Sequence, residues 1–393
     1  MIMIQNKLFL SSCLILFMLY FLCAFVLGLP KSVESVESSD VATEGNQSSY
    51  SLSDLYKILE KSVVQIDTYD SNLGPLGLGS GFIYDTNGYI VTNQHVVEPP
   101  SVGTLSYDVI FTDGSVYGAK FIGADPFSDL AVLHIENASG VNFAPLKLGN
   151  SSAVKPGEDI AIFGSAEGLI GTLTKGVVSA VGRSGLSGIA STGVNPLTGM
   201  SSLGINFDQP EFIQTDAAIN HGNSGGPAVN MNGEVIGVSD LTSAGKAENI
   251  NFLIPSDTVK RIVPSLISNG VYRHPWLGLE GIDMTSSIAK VLNLHEPKGF
   301  LVVNVDENGP AFKAGVIGGN RPVNLPHEGR SVLLGGDVIV TADSKDIRSK
   351  HDLLLYLESK KVGQPVELSV VRDGSPQQIT VILGERPALG GFS

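Results

Sequence analysis

Apolar and polar positions alternate in short runs through most of this chain. GSGFIY, YIVTN, YDVIF, GAKFIGA and LAVLHIE succeed one another between Gly79 and Glu136. Turns such as Asp85-Thr-Asn-Gly88 and Thr112-Asp-Gly114 part them. A period of two, broken by glycine and aspartate, predicts strands joined by tight turns. A second set of strands is predicted at Asp159 to Phe163, Lys175 to Val181, Phe212 to Thr215, Pro227 to Asn230, Glu234 to Val238 and Asn251 to Ile254. Ahead of the first set, LSDLYKILEK has the spacing of a short amphipathic helix. Ser256 to Asn269 reads as another helix, with Ser256 as its candidate N-cap and Pro264 expected to kink or end it. After Gly270 the pattern changes to a mixture of strands and helices: HPWLGLEGI, KGFLVVNVDENGPAFKAGV, GGDVIVTADSKDI, SKHDLLLYLESK and PVELSVVRDG. Within that part, Ile317 to Leu334 is marked as loop by Pro322, Pro326 and Gly329.

The amino end departs from this rhythm. Leu8 to Leu29 is an unbroken uncharged run, long enough to cross a bilayer. Lys7 precedes it, which favours an inside amino end and an outside body. The alternative is a cleaved signal peptide followed by secretion. Lys31 to Ser51, rich in Ser, Glu, Val and Asp, reads as a flexible acidic tether. Arg183 to Asn206 is a Gly/Ser-rich insertion among the second set of strands.

Composition narrows the chemistry. With 393 residues the chain exceeds one ordinary core, and Gly 46 with Pro 20 suits a turn-rich β protein. Lys+Arg 25 against Asp+Glu 39 gives a net charge of −14 without a basic cluster, so nucleic acid is not expected as a partner. The two cysteines, Cys13 and Cys23, both fall in the amino-terminal apolar run. Disulfides and thiolate chemistry are therefore not expected of the folded part. No metal-ligand spacing stands out, and neither a metal nor another cofactor is expected. The glycine run at Gly77 to Gly81 lacks dinucleotide-binding spacing.

Candidate chemistry centres on IQTDAAINHGNSGGPAV, Ile213 to Val229. Ser224 sits among Gly222, Asn223, Gly225 and Gly226, in a turn that can gather backbone N–H groups around an oxyanion. A serine hydroxyl needs a base, and the base needs an orienting acid. Of seven histidines, His95 ends an apolar strand where a loop begins; His134 lies within a strand, and His221 lies on the serine turn itself. His274, His295, His327 and His351 fall in the later module. DPFSDLAVL offers Asp125 and Asp129; Asp125-Pro126 reads as a turn start, while Asp129 directly precedes a strand that can hold it rigidly.

TNQHVV, SDLAVL and GNSGGP, in the order His, Asp, Ser, resemble the HtrA/Deg family of chymotrypsin-fold serine proteases. The resemblance runs from about Leu52 to Arg386. It implies a mostly β fold: two six-stranded antiparallel β-barrels, then an α+β PDZ domain, with an N-terminal transmembrane helix ahead of them. The expected boundaries are 1–29 for the anchor or signal, 30–50 for the linker, 51–271 for the protease domain and 272–388 for the PDZ domain. His95, Asp129 and Ser224 would be the triad, and Gly222 and Asn223 would mark the oxyanion hole beside the Ser224 N–H. Ala218, six residues before the serine, and Ile219 would give a small apolar specificity pocket, since a buried cation would find no partner there. Asn223 stands where pancreatic-type enzymes carry an activating aspartate, so zymogen cleavage is not expected. Trp276, Leu277, Gly278 and Leu279 would bind the carboxylate of peptides with free apolar C-termini. The insertion at 183–206 would match an activator-sensing loop, and the short Tyr69 to Gly79 connection argues against cage assembly. The implied function is ATP-independent cleavage of unfolded or damaged extracytoplasmic polypeptides by a membrane-anchored homotrimer. Two alternatives stay open: a holdase or scaffold that cleaves little, and a dedicated signalling protease gated by C-terminal peptides.

Overall fold

A computed structural model describes residues 49–98, 103–138, 140–183, 211–242, 249–325 and 330–388. The expected membrane segment, nearly all of the acidic tether and residues 184–206 of the insertion lie outside them. Among the described residues no helix is long and apolar enough to cross a membrane.

Helix α1 (Leu52–Leu59) starts where the Ser51 hydroxyl accepts the Asp54 N–H, and it buries Leu55 and Leu59 one turn apart. Strands β1 (Val63–Asp70), β2 (Gly74–Ile83), β3 (Tyr89–Asn93), β4 (Leu105–Phe111), β5 (Val116–Asp125) and β6 (Leu130–Ile135) follow. Their order, β1-β2-β3-β6-β5-β4, closes into a barrel because β1 pairs with both β2 and β4. Strands β7 (Asp159–Ala166), β8 (Leu169–Arg183), β9 (Phe212–Thr215), β10 (Pro227–Asn230), β11 (Val235–Thr242) and β12 (Asn251–Pro255) close a second barrel in the order β10-β11-β12-β9-β8-β7. Ile66, Ile83, Ile90 and Leu133 fill the first barrel; Ile160, Ile162, Val178, Ile213 and Leu253 fill the second. Between them Phe82, Phe163 and Phe212 are wholly buried and join one core with α1. Removing a side chain of that size from water contributes about 1.5–3 kcal/mol, so the two barrels behave as one packed body.

Helix α2 (Gln94–Val97) is a single turn after β3. Helix α3 (Ser256–Asn269) differs from its sequence reading at two places. Its N-cap is Pro255, because the Ser256 hydroxyl donates instead to the Gly149 carbonyl at 2.8 Å. Pro264 lies inside the helix without ending it. The proline is on the exposed face, while Val259, Ile262, Val263 and Leu266 are buried on the other and hold the helix through it.

The carboxyl-terminal module is a six-stranded antiparallel sheet with Leu279–Asp283, Phe300–Val305, Val338–Ala342, Pro365–Arg372 and Ser375–Ile382 along its path. Phe300, Val302, Ile339, Leu368 and Val381 pack under helix Lys350–Glu358 through Leu353, Tyr356 and Leu357. The expected loop at Ile317 to Leu334 contains a hairpin, Arg321–Leu325 with Arg330–Leu334. Proline at 322 is tolerated in this two-stranded ribbon, where edges are free.

The module is tied to the barrels through His274, one of the histidines that the sequence assigns to it. His274 Nε2 lies 2.9 Å from both carboxylate oxygens of Asp125 at the end of β5. Its Nδ1 lies 3.6 Å from Glu358, and Glu358 meets Arg261 of α3 at 2.6 Å. The rings of Phe127 and Tyr272 pack edge-on to the imidazole.

Candidate active site

Pairing of β3 with β6 sets Asn93 opposite Leu130, which brings α2 against the residue that precedes β6. That residue, Asp129, has φ 52, the left-handed region that side chains avoid. Four bonds hold it there. Its carbonyl accepts Gln94 N–H at 3.0 Å and the Asn93 amide at 2.9 Å. Its carboxylate accepts His95 N–H at 2.9 Å and meets His95 Nδ1 at 2.6 Å. A carboxylate that takes both the backbone and the ring of one histidine fixes the rotamer and places the Nδ1 proton, leaving Nε2 bare for a substrate-side proton. Burial opposes charge on His95, but the charge of Asp129 and the bond to it prevail, and the imidazole is held above its ordinary pKa.

Ser224 lies between β9 and β10, on a turn tied to both barrels. Its carbonyl accepts Ser80 N–H at 2.8 Å, and the Ser80 hydroxyl donates to the Gly222 carbonyl at 2.6 Å. Ser80 Oγ in turn accepts Ser165 N–H at 2.9 Å. Gly222 has φ +95, and a Cβ there would stand 2.2 Å from the Ser165 carbonyl oxygen, so only glycine fits. Among the described residues neither Gly222 N–H nor Ser224 N–H has a hydrogen-bond acceptor, whereas Asn223 N–H is taken by the Asn220 carbonyl at 3.0 Å. Two free donors flanking one serine can stabilise a developing oxyanion. The Ser224 hydroxyl itself donates to the Asp240 carbonyl at 3.2 Å. Of the candidate pocket residues, Ala218 is exposed with its carbonyl accepting the Thr174 hydroxyl, and Ile219 is buried in the core of the second barrel.

In the carboxyl-terminal module Trp276 pairs with Gly384, Leu277 is buried and Leu279 opens a strand. The carbonyls of Leu277 and Gly278 accept Ala311 N–H at 2.8 Å and Asp306 N–H at 2.9 Å. The N–H groups of Leu277 and Gly278 have no acceptor among the described residues. They border a cavity of about 350 Å³ lined by Trp276, Leu279, Phe300, Leu353, Leu357 and Glu358.

A trypsin-like peptidase domain model matches residues 79–238, and a PDZ domain model matches 276–383. The solved HtrA-type protease AlgW with a tripeptide is 30% identical, covers 87% of this chain and 99% of its own, and superposes with a TM-score of 0.69. The chain belongs to the HtrA/Deg family of serine proteases. It is also 36% identical over 315 residues to the probable periplasmic serine endoprotease DegP-like of Brucella suis, covering 80% of this chain and 53% of that one. To the periplasmic serine endoprotease DegP of Salmonella typhimurium it is 36% identical over 312 residues, covering 78% and 56%. The chain thus spans about half the length of these HtrA/Deg relatives.

Sequence reading of this HtrA/Deg chain passed over two residues that the fold brings to the site. Ser80, inside the GLGSG run, braces the serine turn from the other barrel. Asp240 is buried on β11, 4% exposed, and offers a carboxylate oxygen in a group with His95 and Asp129 whose ligand atoms all lie within 4.8 Å of one another. An acid within a strand buried from Val235 to Asp240 was the available signal.

Proposed function

We propose that this chain is an ATP-independent serine endopeptidase that degrades unfolded or damaged polypeptides outside the cytoplasm. Ser224 attacks the peptide carbonyl, His95 takes its proton and returns it to the leaving amine, and Asp129 holds the imidazole. The oxyanion is received by the Gly222 and Ser224 N–H groups, with the Asn223 peptide between them shaping the turn. The double grip of Asp129 on His95, at 2.6 and 2.9 Å, is the observation that carries this reading. To pass its proton, the Ser224 hydroxyl swings from the Asp240 carbonyl to His95 Nε2. Small apolar residues are preferred next to the cleaved bond, at a pocket edged by Ala218 and Ile219. The PDZ domain takes peptides with free apolar C-termini at Trp276 to Leu279; the unpaired N–H groups of Leu277 and Gly278, and an AlgW structure solved with a tripeptide, support this. The amino-terminal apolar segment anchors the chain in the membrane, and the working form is a homotrimer. The periplasmic names of its relatives support a body outside the cytoplasm.

Cleavage of unfolded casein by the purified chain and by Ser224→Ala tests the proposal. Loss of cleavage with an unchanged melting profile supports it; equal cleavage by both removes it.

A further inference from the structure

Asp240 touches both ends of the candidate machinery. Its backbone carbonyl accepts the Ser224 hydroxyl at 3.2 Å, and its side chain faces Asp129 and His95. Both carboxyl oxygens are buried and have no hydrogen-bond partner among the described residues. An ionised carboxylate in that position would be without compensation, next to a second carboxylate. Among the described residues the surrounding elements offer no cation to it. On β3, the Tyr89 ring lies tilted against that of His134; β10 and β12 carry no charged side chain. Of the helix α3 residues, Asp257 and Lys260 pair with each other and Arg261 with Glu358. The imidazole of His95 is the nearby cationic group, and Asp129 already occupies its Nδ1.

Resting on the protease reading above, we propose that Asp240 is a positioning residue whose carboxyl shares one proton with Asp129, donating it as a hydrogen bond to the carboxylate that orients His95. The pair then carries a single negative charge. Two acids this close cannot both ionise cheaply, and a shared proton gives the buried oxygens the donor they lack. Burial first, then the charge of Asp129, hold the Asp240 carboxyl well above the usual carboxylate range, in agreement with the geometry. The bond limits rotation of the Asp129 carboxylate, so the imidazole stays aligned while Ser224 turns toward it. When the pair loses its proton at high pH, the Asp129 carboxylate loses its donor and is repelled by a second buried charge, so the imidazole is no longer held in line and cleavage falls.

The test uses the full chain with Asp240→Asn, whose amide donates permanently, and Asp240→Leu, which fills similar space without a donor. Peptide cleavage is followed from acid to alkaline pH. Asn is expected to stay within about threefold of the wild-type kcat, with the acid limb of kcat/KM unmoved and the alkaline fall abolished; Leu is expected to lower kcat about tenfold or more with KM unchanged. An acid limb displaced downward by a unit or more in Asn would mean that Asp240 works as a second charge, and wild-type kcat in Leu would mean that no donor is needed; either overturns the proposal. Infrared difference spectra of wild type against Asp240→Asn at neutral pH decide it without turnover. A protonated-carboxyl C=O band lost in the variant supports the shared proton, and its absence from wild type refutes it. A wild-type chain that cleaves nothing would remove the protease reading while leaving the spectrum to judge Asp240.

Discussion

The imidazole of His274 is a pH-sensitive fastener between the barrels and the PDZ module. Its side chain is 7% exposed, between Asp125 at 1% and Glu358 at 17%. Burial opposes its charge, but the hydrogen bonds and charges of Asp125 and Glu358 overcome this and raise its pKa to about 9. Against an ordinary value of 6.5 and about 1.36 kcal/mol per unit, the protonated ring contributes about 3 kcal/mol to the folded state. The folded pKa lies above the unfolded one. The contribution is therefore complete below pH 6.5, declines as pH rises, and is lost through about 9. Replacing His274 by Gln removes the cation and leaves the buried Asp125 unpaired, a loss of about 3–5 kcal/mol near neutrality. Chemical unfolding followed at intervals from pH 6 to 10 measures it. Wild type should weaken across that window, while the variant starts lower and stays nearly flat. If both lose stability with the same pH slope, His274 is not protonated in the fold and the reasoning fails.

Other outcomes follow from the same geometry. Gly222→Ala sets a Cβ 2.2 Å from the Ser165 carbonyl and turns the oxyanion donors away, so kcat should drop about 100-fold; a loss confined to KM would count against the turn's role. The acid limb of kcat/KM should lie above pH 6.5, because His95 is held protonated by Asp129. In Asp129→Asn the ring loses the charge and bond that raise it, and its titration by NMR should move downward; an unmoved titration would contradict the pairing. Gly278 has φ +76 and would place a Cβ 2.9 Å from Gly309, so Gly278→Val should abolish binding of a C-terminal peptide in fluorescence polarisation; unchanged affinity would move the peptide site elsewhere.

Strand runs were legible because alternation and turn residues agree locally. LAVLHIE, read as a strand led by Asp129, is β6 with Asp129 at its edge. The contact of His95 with Asp129 could be anticipated because each sits in a short motif at a strand end. What escaped the reading depends on contacts far apart in the chain. Ser256 lost its cap role to the carbonyl of Gly149, and Pro264 was tolerated because the packed face beneath it outweighs one missing bond. His274 reads as part of another module until the fold brings it to Asp125. Asp240 looks like a strand acid with an outward side chain until both barrels close around it.

The central claim is that Ser224 is a nucleophile activated by His95 and Asp129. Reaction of the purified chain with a fluorophosphonate probe, followed by mapping of the modified peptide, tests it most directly. The account predicts a single adduct on Ser224 that forms with wild type and is lost in His95→Ala. An unlabelled wild-type chain of intact fold, or an adduct on another residue, would contradict it.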